Sequence, residues 1–167
     1  MGISGGAIMK FGKIYFAILG IVTLIFGIAN FISTCAGLEL SWGILGIPSE
    51  MFRGGWGGLV IIFAGLFYLS GLKDLSKPSY LSKILVGSIL IWIMAGCDIF
   101  GMITASIFSE GEGNLLIFFS SGKQFIDAYA PPYTPAMFLL PFSLVVIYYI
   151  HRYKKIVREQ RINAKVE

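Results

Sequence analysis

The chain has 167 residues, 56% hydrophobic and 13% charged, with a formal net charge of +4, and its mean hydropathy is +0.81. Soluble domains of this length carry about 25% charged residues, so this composition does not furnish a water-facing surface, and it is too apolar for a disordered chain. The basic residues lie beside apolar segments and form no groove-like patch, which argues against a nucleic-acid binder. What remains is an all-α integral membrane protein, a single membrane domain whose first partner is the lipid bilayer.

A bilayer core takes about 20 mostly apolar residues per helix. Four segments meet that need in chain order: residues 14–33, 56–72, 84–108 and 133–151, followed by a basic tail, 152–167. The fourth is the weakest and contains Pro141, which should kink it. Periodicity offers no alternating barrel pattern, so a four-transmembrane-helix bundle is expected. No long internal repeat supports an inverted-repeat transporter.

Lys and Arg set the orientation. Eleven of the 13 fall on one side of this map: Lys10, Lys13, Lys73, Lys77, Lys83 and six in the tail from Arg152 to Lys165. Arg53 and Lys123 fall on the other. Both termini are therefore expected in the cytoplasm, in a multi-pass protein of the cell membrane. The first segment can also be read as a signal peptide ahead of a lipidated Cys35, but Thr34 spoils the cleavage motif and the apolar stretch is long. Residues 1–8 read as an extra leader before Met9, and Gly6 stands where a myristoylation motif needs Ser or Thr.

Two loops face outward on this map. Residues 38–52 (LELSWGILGIPSEMF) and 115–129 (LLIFFSSGKQFIDAY) are too short and polar to span and too apolar to float in water. They are expected to lie at the interface or to fold over the bundle as a cap. Trp42, Trp56, Tyr129 and Tyr133 suit an aromatic belt. The proline-rich run 130–135 should be stiff and extended as it enters the fourth span.

Small and polar residues fall on stripes at helical spacing. The first span carries Gly20, Thr23, Gly27, Asn30 and Thr34, and the second carries Gly57, Ala64 and Gly71. The third carries Gly87, Ile91, Ala95, Asp98, Gly101 and Ala105, while the fourth offers Ala136 and Ser143 beside large knobs such as Phe138, Leu139 and Tyr148. Small residues let helix backbones approach closely in lipid. Either the stripes hold this bundle together or one of them meets a second protein.

Asp98 is the one ionisable residue well inside these segments. Counting from residue 84 at 1.5 Å per residue places it about 21 Å along the third helix, level with Asn30 on the first, and with no cation at that depth. Three readings follow. Asp98 can be a protonated acid locking helices through Asn30 or a backbone carbonyl. It can be a proton or cation site completed by Asn30, Thr23 and Ser143. Or it can await a cation from a partner subunit.

Catalytic patterns are missing from the sequence. Cys35 and Cys97 form no C-x-x-C pair and read as buried packing residues. The single histidine, His151, ends the fourth span beside Arg152, so haem and zinc ligand sets are lacking. The glycine-rich run 54–58 lacks a following Lys and reads as a tightly packed start to the second span. No cofactor is expected. The function expected from these features is that of a non-catalytic accessory subunit that homo-oligomerises or joins other membrane subunits. The alternative is a small ion- or proton-coupled transporter or channel using Asp98. A membrane enzyme would require Glu39, Glu50, Glu110 or Asp127 to converge under the loops.

Overall fold

The computed structural model describes residues 3–75, 77–109 and 132–166. Helix α1 covers Ile3–Ala36. A hairpin of β1 (Leu40–Trp42) and β2 (Leu45–Ile47) follows. A π-helical turn, Met51–Trp56, leads directly into α2, Gly57–Gly71. Helix α3 covers Pro78–Ser109, and the final stretch is split into α4, Pro135–Ser143, and α5, Val145–Val166. Among the described residues, four stretches are long and apolar enough to cross a membrane: Met9–Ala36, Met51–Gly71, Pro78–Thr104 and Pro135–Lys155.

All four stretches differ at their ends from the segments expected from sequence. The largest consequences come from the second, which begins at Met51 instead of residue 56, and from the third, which begins at Pro78 instead of residue 84. The fourth is interrupted at Leu144, three residues beyond Pro141. Proline has no N–H to give to the carbonyl one turn earlier. At the interruption the Tyr15 hydroxyl of α1 donates to the Phe142 carbonyl at 2.9 Å.

Local sequence explains the turns at one end of the bundle. Helix α1 ends in a Schellman motif: Gly37 takes φ +65°, Leu38 N–H reaches Ser33 C=O at 3.0 Å, and Gly37 N–H reaches Thr34 C=O at 3.2 Å. Only glycine enters that conformation without steric cost. The strands pair antiparallel with Trp42 opposite Leu45. Their two-residue turn starts at Gly43, φ +59°, where a primed hairpin turn requires positive φ.

Rings and glycine seams hold the helices together. Phe16 of α1 stacks on Tyr68 of α2 at 6.0 Å and meets Tyr149 of α5 edge-on at 5.3 Å. Phe26 meets Phe138 of α4 at 5.9 Å. These pairings run α1 antiparallel to α4 and α5, so the chain's first and last helices begin and finish at the same end. The hairpin closes the opposite end.

The seams account for most of the expected stripe residues. A methyl group at Gly27 would come within 2.7 Å of the Ile62 backbone nitrogen, and one at Gly20 within 3.0 Å of Tyr68 and Leu69. Gly57 lies against Met94, Gly71 against Tyr80 and Ile84, and Gly87 against the Ala64 carbonyl at 2.9 Å. Ala64 and Ala95 are fully buried. Gly58 and Gly65 join the same α1–α2 seam. Gly101 differs: among the described residues nothing comes within 4 Å of a methyl group placed there, nor at Gly96 on the same helix.

Candidate functional site

The site lies at the hairpin end and is assembled from three elements. The first is the π-helical turn. Its wide winding is visible in the bonds of Gly55 N–H to Glu50 C=O at 3.3 Å, five residues back, and Gly54 N–H to the same carbonyl at 2.7 Å. Gly54 is pressed against Thr34 and Pro48, and Gly55 against Thr34, where side chains would collide. The run of glycines is thus tightly packed, as the sequence suggested, and it carries Arg53 against α3.

The second element is α3. Counted from Pro78, Asp98 lies about 30 Å along the helix at 1.5 Å per residue, toward the hairpin end. Its side chain is 6% exposed, and Oδ1 accepts from Arg53 Nε at 3.2 Å.

The third element is the start of α4. Thr134 is the N-cap, extended at φ −67° and ψ 155°, with Pro135 behind it in the first turn. Its hydroxyl accepts from Met137 N–H at 3.4 Å and donates to Asp98 Oδ2 at 2.5 Å. One hydroxyl can serve both roles, having one donor and two lone pairs. The positive end of the α4 dipole also favours a carboxylate there. The hairpin fixes this capping residue: Gly46 N–H bonds Tyr133 C=O at 2.9 Å, and Tyr133 N–H bonds Ile44 C=O at 2.7 Å. Ile44 and Gly46 thus join Tyr133 just ahead of α4, while β1 stays exposed. Residues 110–131, including Glu110, Glu112, Lys123, Asp127 and Tyr129, lie outside the described residues.

The expected polar shell around Asp98 is not the one observed. Asn30 is buried but sits against Gly58 of α2, and its Oδ1 has no partner among the described residues. Thr23 donates to Leu19 C=O of its own helix at 2.7 Å. Ser143 accepts from the Trp92 indole N–H at 2.7 Å and donates to Leu140 C=O at 2.7 Å. Among the described residues, none of the three hydrogen-bonds Asp98. Sequence reasoning missed Arg53 and Thr134. The signal for Arg53 was length: residues 56–72 fall short of the roughly 20 that a span needs, and extending them backward reaches Arg53. The signal for Thr134 was its place before Pro135, the N-cap and first-turn pattern.

A recess of about 270 Å³ adjoins the pair, lined by Phe52, Arg53, Met94, Cys97, Asp98, Gly101 and Met102. Phe52, Cys97 and Gly101 are exposed, so it opens to the outside of the bundle. Cys97 and Cys35 are both exposed thiols, which corrects their reading as buried packing residues. Glu39 accepts from Ser49 at 3.3 Å in an exposed contact and does not line this recess. Among the described residues no group of three His, Cys, Asp or Glu is placed to hold a metal. Chemically, the arrangement offers a fixed ion pair beside an apolar, laterally open hollow. No family model, curated protein or solved structure matches the chain.

Proposed function

We propose that the protein is a non-catalytic subunit of the cell membrane, crossing it four times with both termini in the cytoplasm, and that it acts by associating with a second copy or with other membrane subunits. The observation that carries this reading is the outward stripe of α3. Val86, Ile89, Ile93, Gly96 and Phe100 are all exposed on one face, and among the described residues nothing approaches a methyl group placed at Gly96 within 4 Å. The seam glycines of α1 and α2 are filled by neighbouring helices; Gly96 leaves a notch between Ile93 and Phe100. Close backbone approach at such notches is a main source of helix association in lipid.

The orientation is supported by charge. Lys10, Lys13, Lys73, Lys77 and Lys83 gather with Arg152, Lys154, Lys155 and Arg158 at the end carrying the termini, where Lys13 Nζ donates to Lys73 C=O at 3.0 Å. Cytoplasmic loops carry such an excess of cations. The transporter alternative needs an Asp98 carboxylate free to exchange a cation. Here Arg53 and Thr134 both hold it, which weighs against that alternative.

Purification in mild detergent followed by native mass spectrometry tests the reading. A defined homo-oligomer or hetero-complex is expected, and Gly96→Leu should weaken it about tenfold while the separated chain keeps its melting temperature. A monomer in mild detergent and in lipid nanodiscs, unmoved by Gly96→Leu, would contradict it.

A further inference from the structure

The recess beside Arg53 has features that neither helix packing nor the ion pair accounts for. Arg53 spends only its Nε on Asp98. Guanidinium has five N–H donors in a planar fork, and the four on Nη1 and Nη2 have no partner among the described residues. The side chain is 37% exposed, so these donors reach the mouth of the hollow. Asp98 takes Nε of Arg53 on one oxygen and the Thr134 hydroxyl on the other, so neither carboxylate oxygen draws on Nη1 or Nη2. The rest of the lining is soft and apolar: Phe52, Met94 and Met102, with the hollow left by the missing side chain of Gly101.

The volume, about 270 Å³, lies below the roughly 300–1,000 Å³ typical of sites that engulf a small molecule. It suits part of a larger ligand that enters from the side. A planar fork of free donors matches two oxygens of a phosphate. Methionine side chains adapt to flexible apolar chains.

The geometry points to a phospholipid site: the phosphodiester is bound by Nη1 and Nη2 of Arg53, and the upper part of one acyl chain lies in the hollow between Met94, Gly101 and Met102. The site rests on the membrane reading above but not on the association proposed there, since Gly96 and Phe100 lie on the neighbouring face of α3. An inorganic phosphate presents the same oxygens without the chain, and a diacylglycerol presents the chains without the phosphate.

The full chain bearing Cys35→Ser retains Cys97 as a reporter in the recess wall. In a neutral sugar-headgroup detergent, its rate of maleimide labelling is measured with phosphatidylglycerol, with diacylglycerol and with inorganic phosphate. Phosphatidylglycerol is expected to slow labelling at least fivefold, and the other two by less than twofold. Equal protection by inorganic phosphate would make this a free-anion site, and equal protection by diacylglycerol would make it an apolar crevice; either overturns the proposal, as does no protection at all. Native mass spectrometry supplies a second readout. Gly101→Leu, whose side chain grows into open space, should release retained phosphatidylglycerol without changing the melting temperature. Asp98→Asn should retain the lipid, and Arg53→Gln combined with Asp98→Asn should lose it. Unchanged retention in the double variant or in Gly101→Leu refutes the site even if the span map holds.

Discussion

Arg53 Nε stands 3.2 Å from Asp98 Oδ1 across 45 residues of sequence, fastening the π-helical start of the second span to the hairpin end of the third. The two side chains are unequal: Arg53 is 37% exposed and Asp98 only 6%. The partner with access to its surroundings can find substitutes for a lost bond. The enclosed one cannot.

That asymmetry gives a first prediction. Arg53→Gln leaves an enclosed carboxylate with Thr134 as its remaining donor among the described residues, and should destabilise the protein by about 1–3 kcal/mol. Asp98→Asn should cost less, since the amide keeps an acceptor for Thr134 and Arg53 retains its exposure. The double substitution should recover part of the Arg53→Gln loss. Thermal unfolding in detergent, analysed as a double-mutant cycle, measures the coupling; simple additivity would mean that the pair does not act as a unit.

The hydroxyl residues separate in the same assay. Ser143→Ala removes the acceptor of the Trp92 indole N–H and should cost about 1–2 kcal/mol, the penalty for a buried donor left unsatisfied. Thr23→Val removes a hydroxyl that only doubles up on a helix carbonyl, and should change stability by less than about 0.5 kcal/mol. Equal losses would restore the idea that both hydroxyls belong to one polar shell.

Glycines likewise divide into filled and open positions. Gly27→Ala would force a methyl group to 2.7 Å from the Ile62 nitrogen, and backbone yields poorly, so a loss of about 1–3 kcal/mol is expected. Gly96→Ala meets nothing within 4 Å and replaces the weaker helix former by the better one, worth up to about 1 kcal/mol. For the separated chain the two melting temperatures should move in opposite directions; a parallel fall would place Gly96 in a packed seam inside the bundle.

The physical scale of each signal decided what the sequence disclosed. Four apolar stretches and the glycine stripes of α1 and α2 were legible because span length and helical period average over many residues. The apolar character of residues 38–52 was legible from composition, but their hairpin was not; its turns rest on Gly37 and Gly43. The Asp98 site was half legible. A charge in an apolar run announces itself, but its partners depend on where helices begin. Starting the second stretch at Met51 instead of residue 56 brings Arg53 into it and beside Asp98, whereas the earlier starts at Met9 and Pro78 leave Asn30 and Asp98 at similar counts along their helices. Helix ends are set by one or two residues and by neighbouring elements, such as the hairpin that holds Tyr133 beside Thr134. Local sequence cannot average those away.

The central claim is that this chain crosses lipid four times, with the hairpin and the α2–α3 turn on opposite sides. In a background with Cys35→Ser and Cys97→Ser, single cysteines at the exposed positions Ser41 of β1 and Ser79 of α3 can be tested with a membrane-impermeant maleimide on sealed, right-side-out vesicles. Labelling of Ser41→Cys from outside, with Ser79→Cys reacting only after permeabilisation, is the predicted result. Both positions reacting from outside, or both only after permeabilisation, would contradict the account.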